Sequence, residues 1–121
     1  MSYQITHLRA IALALRRLAV ESAEALEQAA PDEWLWKGWH AKLVDGFTFT
    51  MPDTPANQEA FPQLALQEPG IGFPIARACV VLSLATGCLC DATIGPYEGK
   101  ETGETALLRR LLDRFGQDDV V

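Results

Sequence analysis

Along residues 41–53 the apolar positions return at every second place. Leu43, Phe47, Phe49 and Met51 alternate with Thr48 and Thr50, the period of a half-buried strand, while Val44 and Gly46 interrupt the alternation. One acid, Asp45, lies inside this run. A carboxylate there is costly to desolvate unless a positive group stands beside it. On these residues alone it reads first as a strand-end carboxylate that caps a turn with Gly46.

Upstream, residues 5–29 follow the helical period. Ile5, Leu8, Ile11, Leu15, Leu18 and Leu26 fall roughly on one stripe with alanines between them, and Pro31 ends the pattern. Arg9, Arg16 and Arg17 come early and Glu21, Glu24 and Glu27 late, against the helix dipole, so packing must hold this helix. The arginines read as a solvated face. Trp34, Trp36 and Trp39 present rings that suit base stacking, but they read first as a hydrophobic seam joining helix to sheet. His40 reads as a structural residue.

Downstream, residues 52–74 form a polar, Pro- and Gly-marked excursion with one short helical turn, a loop length associated with function. Residues 76–86 are strongly apolar and residues 88–94 follow after Thr86-Gly87, which predicts a hairpin. A second amphipathic helix spans about 103–115. Thr102 is its expected cap, Glu101 and Glu104 suit its N-terminus, and Leu107, Leu108, Leu111, Leu112 and Phe115 make its buried stripe. Gly116 stops it, and Asp118-Asp119-Val120-Val121 begins another strand.

The totals narrow the class. The chain has 121 residues, 49% hydrophobic and 21% charged, which suits one globular domain. The net charge is −6, and residues 1–30 are balanced, so the acidic excess lies in residues 31–121. That argues against strong DNA binding by this chain through a basic face. Cys79, Cys88 and Cys90 are odd in number and no secretory signal precedes them, so they read as reduced thiols of a cytoplasmic protein. No apolar run has the length of a membrane span. Cys88-x-Cys90 lacks the second pair a zinc site needs, and strand alternation puts both on one face, so core packing accounts for them. Gly70-x-Gly72 lacks the strand and helix of a dinucleotide fingerprint.

The acids Asp45, Asp53 and Asp91 remain. The predicted order is three antiparallel strands, a crossover helix and a fourth strand parallel to the first. That is how an RNase H-like sheet begins, and there an Asp in the middle of the first strand is a metal ligand.

Specific blocks then occur in order: Val44-Asp45-Gly46, Met51-Pro52-Asp53-Thr54-Pro55-x-Asn57-Gln58, Phe61-Pro62-Gln63, Gly70-Ile71-Gly72-Phe73-Pro74-x-Ala76-Arg77, Leu84-Ala85-Thr86-Gly87, Ile94-Gly95-Pro96-Tyr97 and Gly103-Glu104-x-x-Leu107-Leu108. Together they closely resemble the central part of bacterial DDE transposases of the insertion-sequence-four group. The resemblance covers residues 39–121 nearly continuously, and residues 1–38 match loosely. It implies an α+β chain: an N-terminal helical segment (1–38), then a truncated RNase H-like catalytic domain (39–121). It further implies that Asp45 is the first catalytic and metal-binding acid of an Asp-Asp-Glu triad served by Mg²⁺ or Mn²⁺. The second Asp and the Glu of the family lie beyond Val121, and Asp53 and Asp91 match positions outside the triad. Transposon-end DNA is the implied partner of the intact enzymes. A homodimer, or pairing with a full-length transposase, is the implied role of a non-catalytic product. An acidic α+β interaction domain unrelated to DNA is the reading that remains if the resemblance is set aside.

Overall fold

The helical period of the first thirty residues is realised as α1, Ser2–Ala29. A computed structural model describes the backbone of residues 2–121 and the side chains of residues 9–121, so the expectations for the Ile5 and Leu8 side chains lie outside the described residues. The rest of the order is β1 (His40–Thr50), α2 (Pro55–Ala60), β2 (Ile75–Ser83), β3 (Leu89–Pro96), α3 (Glu104–Arg109) and β4 (Asp119–Val120), with single 3₁₀ turns at Asp32–Trp34 and Leu112–Arg114. The class is α+β with a four-stranded mixed sheet in the order β3-β2-β1-β4. β2 and β3 are joined by a tight turn in which Ser83 N–H donates to Cys88 C=O at 2.9 Å and Gly87 takes φ 71°. So short a connection makes the pair antiparallel. Leu84 N–H donates to Ala41 C=O at 2.9 Å and Met51 N–H to Pro74 C=O at 3.0 Å, so β1 and β2 also run in opposite senses. β4 is parallel to β1, with His40 opposite Asp119 and Ala41 opposite Val120.

The chain divides into two compact units built from non-contiguous segments: residues 1–43, 81–91 and 116–121, and residues 44–80 and 92–115. In the first unit α1 turns inward the stripe Arg16, Val20, Ala23 and Glu27, of which Val20 and Ala23 are buried hydrophobics. The stripe expected to be buried faces solvent instead: Leu15 and Leu18 are each 62% exposed, and Ile11 and Leu26 are at least half exposed. The tryptophan seam is also corrected. Trp34, Trp36 and Trp39 are exposed; Trp34 ends the first 3₁₀ turn, and Trp36 and Trp39 close the next turn by reciprocal backbone bonds at 2.9 Å, with Lys37 and Gly38 at positive φ.

The second unit has the apolar core. Leu107 and Leu111 of the α3 region, with Pro74, Ala76, Ala78 and Cys79, are among its most buried residues. Gly95 lets this happen, since a Cβ there would stand 3.2 Å from Leu107 Cδ2. The helix expected over 103–115 is shorter: α3 ends at Arg109 and a 3₁₀ turn follows. This leaves Leu112 54% exposed, because tighter winding takes it off the stripe of Leu107 and Leu111. Thr102 does not cap α3. Its hydroxyl donates back to Gly99 C=O at 2.9 Å, and Gly103 holds the N-cap position.

The excursion of residues 52–74 is ordered by its own side chains. Thr54 Oγ1 accepts from Asn57 N–H at 3.2 Å and Pro55 opens α2 with its φ already helical. Asn57 Nδ2 donates to Pro52 C=O at 3.0 Å, and Gln58 Nε2 to Asp53 Oδ1 at 2.8 Å. Gln63 Nε2 reaches Glu68 C=O at 2.9 Å. Gly72 leaves room for both glutamines, because a Cβ there would meet Gln67 Oε1 and stand 3.0 Å from Gln63 Cβ.

The two leucines of the α3 region give a direct comparison. Leu107→Ala is expected to cost about 2–5 kcal/mol through the cavity it leaves, and Leu112→Ala about 0.5 kcal/mol or less. Urea unfolding of the two variants reads this, and equal losses would restore the longer helix.

Candidate functional site

Two groups of ionisable side chains bear on function: the acid singled out on β1, and a buried network in the first unit. Asp45 lies within β1, well inside its ends, so it caps no turn. It is exposed, on the strand face shared with Leu43 and Phe47, each 47% exposed. Its carboxylate therefore keeps its water and does not need the positive neighbour expected of it. Gly46 points to the opposite face by strand alternation. There Glu104 packs over it, so closely that a Cβ on residue 46 would be 2.7 Å from Glu104 Cδ. The two carboxylates flank β1 on opposite faces and do not converge. Both nonetheless act on Cys79, whose thiol is pushed up by burial first and then by the charges of Glu104 and Asp45.

The other acids are engaged elsewhere. Asp53 holds Gln58 in the excursion loop. Asp91 is buried on β3 and receives the Arg16 guanidinium through two bonds, Nε to Oδ1 and Nη2 to Oδ2, each 2.9 Å. Arg16 thus belongs to an internal pair and not to a solvated face, whereas Arg17 pairs at the surface with Glu21 at 2.8 Å. Cys79 and Cys90 are buried free thiols, and Cys88 precedes β3 as a third. Among the described residues no three His, Cys, Asp or Glu side chains gather as a metal site.

The strand's buried charge is Lys42. Its side chain is 6% exposed, and its ammonium stands 2.7 Å from Glu27 Oε2, 3.7 Å from Cys90 Sγ and 3.8 Å from Asp119 Oδ1. Glu27 also accepts from Thr86 Oγ1 at 2.9 Å and lies 3.0 Å from His40 Nδ1. Burial opposes ionisation of Glu27, but the bonds from Lys42, Ser83 and Thr86 outweigh it and hold the carboxyl at about 2. Burial likewise opposes the charge on Lys42, and the Glu27 bond with the nearby Cys90 and Asp119 raises it above its ordinary value. Burial pushes the Cys90 thiol up despite the ammonium beside it, which disfavours its thiolate. The network joins α1, β1, β4 and the turn after β2. Its geometry suits a structural clamp, with every group already satisfied by another. The signal in the sequence was a lysine between Ala41 and Leu43 in a strand, where a long cation is rare unless paired.

A recess of about 420 Å³ in the second unit is lined by Asp53, Gln58, Gln63, Gln67 and neighbours. Its glutamine amides are largely committed to one another and to loop carbonyls. Among the described residues no helix is long and apolar enough to cross a membrane.

The clamp makes an acid-dependent prediction. Glu27 is held at about 2 in the fold against 4.5 when unperturbed. Its contribution is therefore complete above the unfolded value and lost as pH falls from about 4.5 toward about 2, a change of roughly 3 kcal/mol. Glu27→Gln is expected to remove that pH dependence and to cost about 3–5 kcal/mol at neutral pH, by leaving Lys42 buried without its main counter-charge. Glu27→Leu with Lys42→Met is expected to recover most of the loss. Urea unfolding across pH checks all three variants.

No protein-family model, curated protein or solved structure matches the chain.

Proposed function

We propose that the chain is the opening part of an RNase H-like DNA-processing domain of the DDE transposase type, with Asp45 its first acid, and that it is catalytically inactive by itself. The observation that carries the reading is β4 running parallel beside β1, the strand that bears Asp45. The order β3-β2-β1-β4, with β1 to β3 antiparallel and a helix between β3 and β4, agrees with it. The blocks around Asp45, the 52–74 excursion and the α3 N-terminus supply the resemblance. In the intact enzymes so implied, the second Asp follows the apolar start of the fourth strand, and a parallel register carries that strand toward the first acid.

The residues present do not fit a catalytic metal centre. Mg²⁺ takes six oxygen ligands in strict geometry. Asp45 offers one exposed carboxylate, Glu104 lies on the opposite face of its strand, and Asp91 is tied to Arg16. No metal-assisted step is therefore assigned to this chain. Asp45 contributes a mid-strand carboxylate that stays hydrated and accessible, and the acidic balance of residues 31–121 supplies no basic face for DNA.

The test has two arms. Supercoiled DNA incubated with this chain and Mg²⁺ or Mn²⁺ is expected to remain unnicked. Fusing the chain to the segment of an intact transposase of this group that carries the second Asp and the Glu is expected to give metal-dependent nicking that Asp45→Asn abolishes. Nicking by the chain alone that is lost in Asp45→Ala would overturn its assignment as inactive. Nicking by the fusion that survives Asp45→Asn would overturn the role of Asp45.

A further inference from the structure

Three donor side chains of the second unit stand together with no acceptor of their own. Arg77, on β2, is half-buried, with its Cζ 4.7 Å from the centroid of the Tyr97 ring. The register of β1 and β2 supplies the third. Leu84 N–H bonds Ala41 C=O at one end of this pair of strands, and Met51 N–H bonds Pro74 C=O at the other. Both bonds give the same register, which sets Thr48 opposite Arg77. Thr48 lies an odd number of places from Ala41, so the two form a non-hydrogen-bonded pair, where facing side chains stand closest.

The guanidinium has no counter-ion. Among the described residues no carboxylate or carbonyl bonds to Arg77, although the chain holds 16 Asp and Glu against 10 Lys and Arg. Arg16 and Lys42, by contrast, each have an acid. Glu104 packs over Gly46, two places from Thr48, without pairing with Arg77. The hydroxyls of Thr48 and Tyr97 are also without a partner among the described residues. Stacking on the ring uses one face of the guanidinium and none of its N–H groups, which lie in its plane. It also fixes in advance a side chain that would otherwise lose freedom on binding.

We propose that Arg77, with the Thr48 and Tyr97 hydroxyls, binds a phosphate group. The guanidinium fork matches two oxygens of either a carboxylate or a phosphate. The flanking hydroxyls choose between them. A carboxylate has no third oxygen to offer, whereas a tetrahedral phosphate has oxygens outside the guanidinium plane. The net charge of −6 suits the site to one phosphate and not to a long strand of them. The inference does not depend on the DNA-processing reading.

The test follows the Arg77 Nε–H resonance of the full chain, assigned by its absence in Arg77→Lys, as sodium phosphate replaces sodium chloride at constant ionic strength. A saturable shift is expected. Read on the amides of residues 48 and 97, half-saturation is expected to need about tenfold more phosphate in Arg77→Lys, and about threefold more in Thr48→Val or Tyr97→Phe. A thymidine dinucleotide identifies the source. Saturation by its phosphodiester marks a nucleic-acid strand, and saturation by inorganic phosphate alone marks a free or monoester phosphate. A shift that does not saturate marks a solvated arginine and overturns the proposal. So does unchanged binding in Arg77→Lys, or in Thr48→Val combined with Tyr97→Phe. If Arg77→Lys unfolds, that double variant, which keeps the guanidinium and its stack, decides the question.

Discussion

A lysine ammonium with 6% of its side chain exposed sits on β1, and its need for a carboxylate fixes the arrangement of the first unit. Taking an ammonium from water costs several kcal/mol unless a close anion and further hydrogen bonds replace the water. Glu27 meets that need at 2.7 Å, and is itself held by Thr86 and flanked by His40. One helical residue thereby fixes the rotation of α1 about its own axis. Arg16, eleven residues earlier on the same stripe, repeats the device by gripping buried Asp91 through Nε and Nη2. Val20 and Ala23 lie between the two anchors, and the small alanine lets the helix backbone come close.

The consequence is an inversion of the usual amphipathic arrangement. Once the stripe with Arg16 and Glu27 is turned inward, the leucine stripe must face out. The second unit follows the ordinary rule: Leu107, Leu111, Ala76, Ala78 and Cys79 are buried, and Glu104 and Asp45 stay at the surface. Stability in the first unit thus rests more on paired charges, and that in the second on packed apolar volume. The first should respond to acid and the second to cavities.

Much of the backbone was legible in the sequence. Period-two alternation located β1, the Thr86-Gly87 turn located the hairpin, and the polar, Pro- and Gly-marked stretch located the excursion loop with its short helical turn. Two Val residues after paired acids marked β4. The faces were harder to read. The rotation of α1 is decided by partners 15 and 75 residues away in sequence, Lys42 and Asp91, and no local period reports them. The leucines of residues 11–18 gave the stronger periodic signal, and the ion pairs overrode it. Asp45 drew attention as a lone acid in an apolar run, yet the costly burial fell on Lys42, three residues earlier on the other face. The single helix expected over 103–115 failed because its last turn tightens after Arg109, a boundary effect of a kind that propensity resolves poorly.

β1 carries both Lys42, whose pairing with Glu27 sets the rotation of α1, and Asp45, which is exposed to solvent. The most direct test is the carboxyl titration of Glu27, followed by carbon-13 NMR. The account predicts a midpoint at about 2, far below 4.5. Titration near 4.5 would mean that Glu27 is not bound to Lys42 and that α1 is turned some other way.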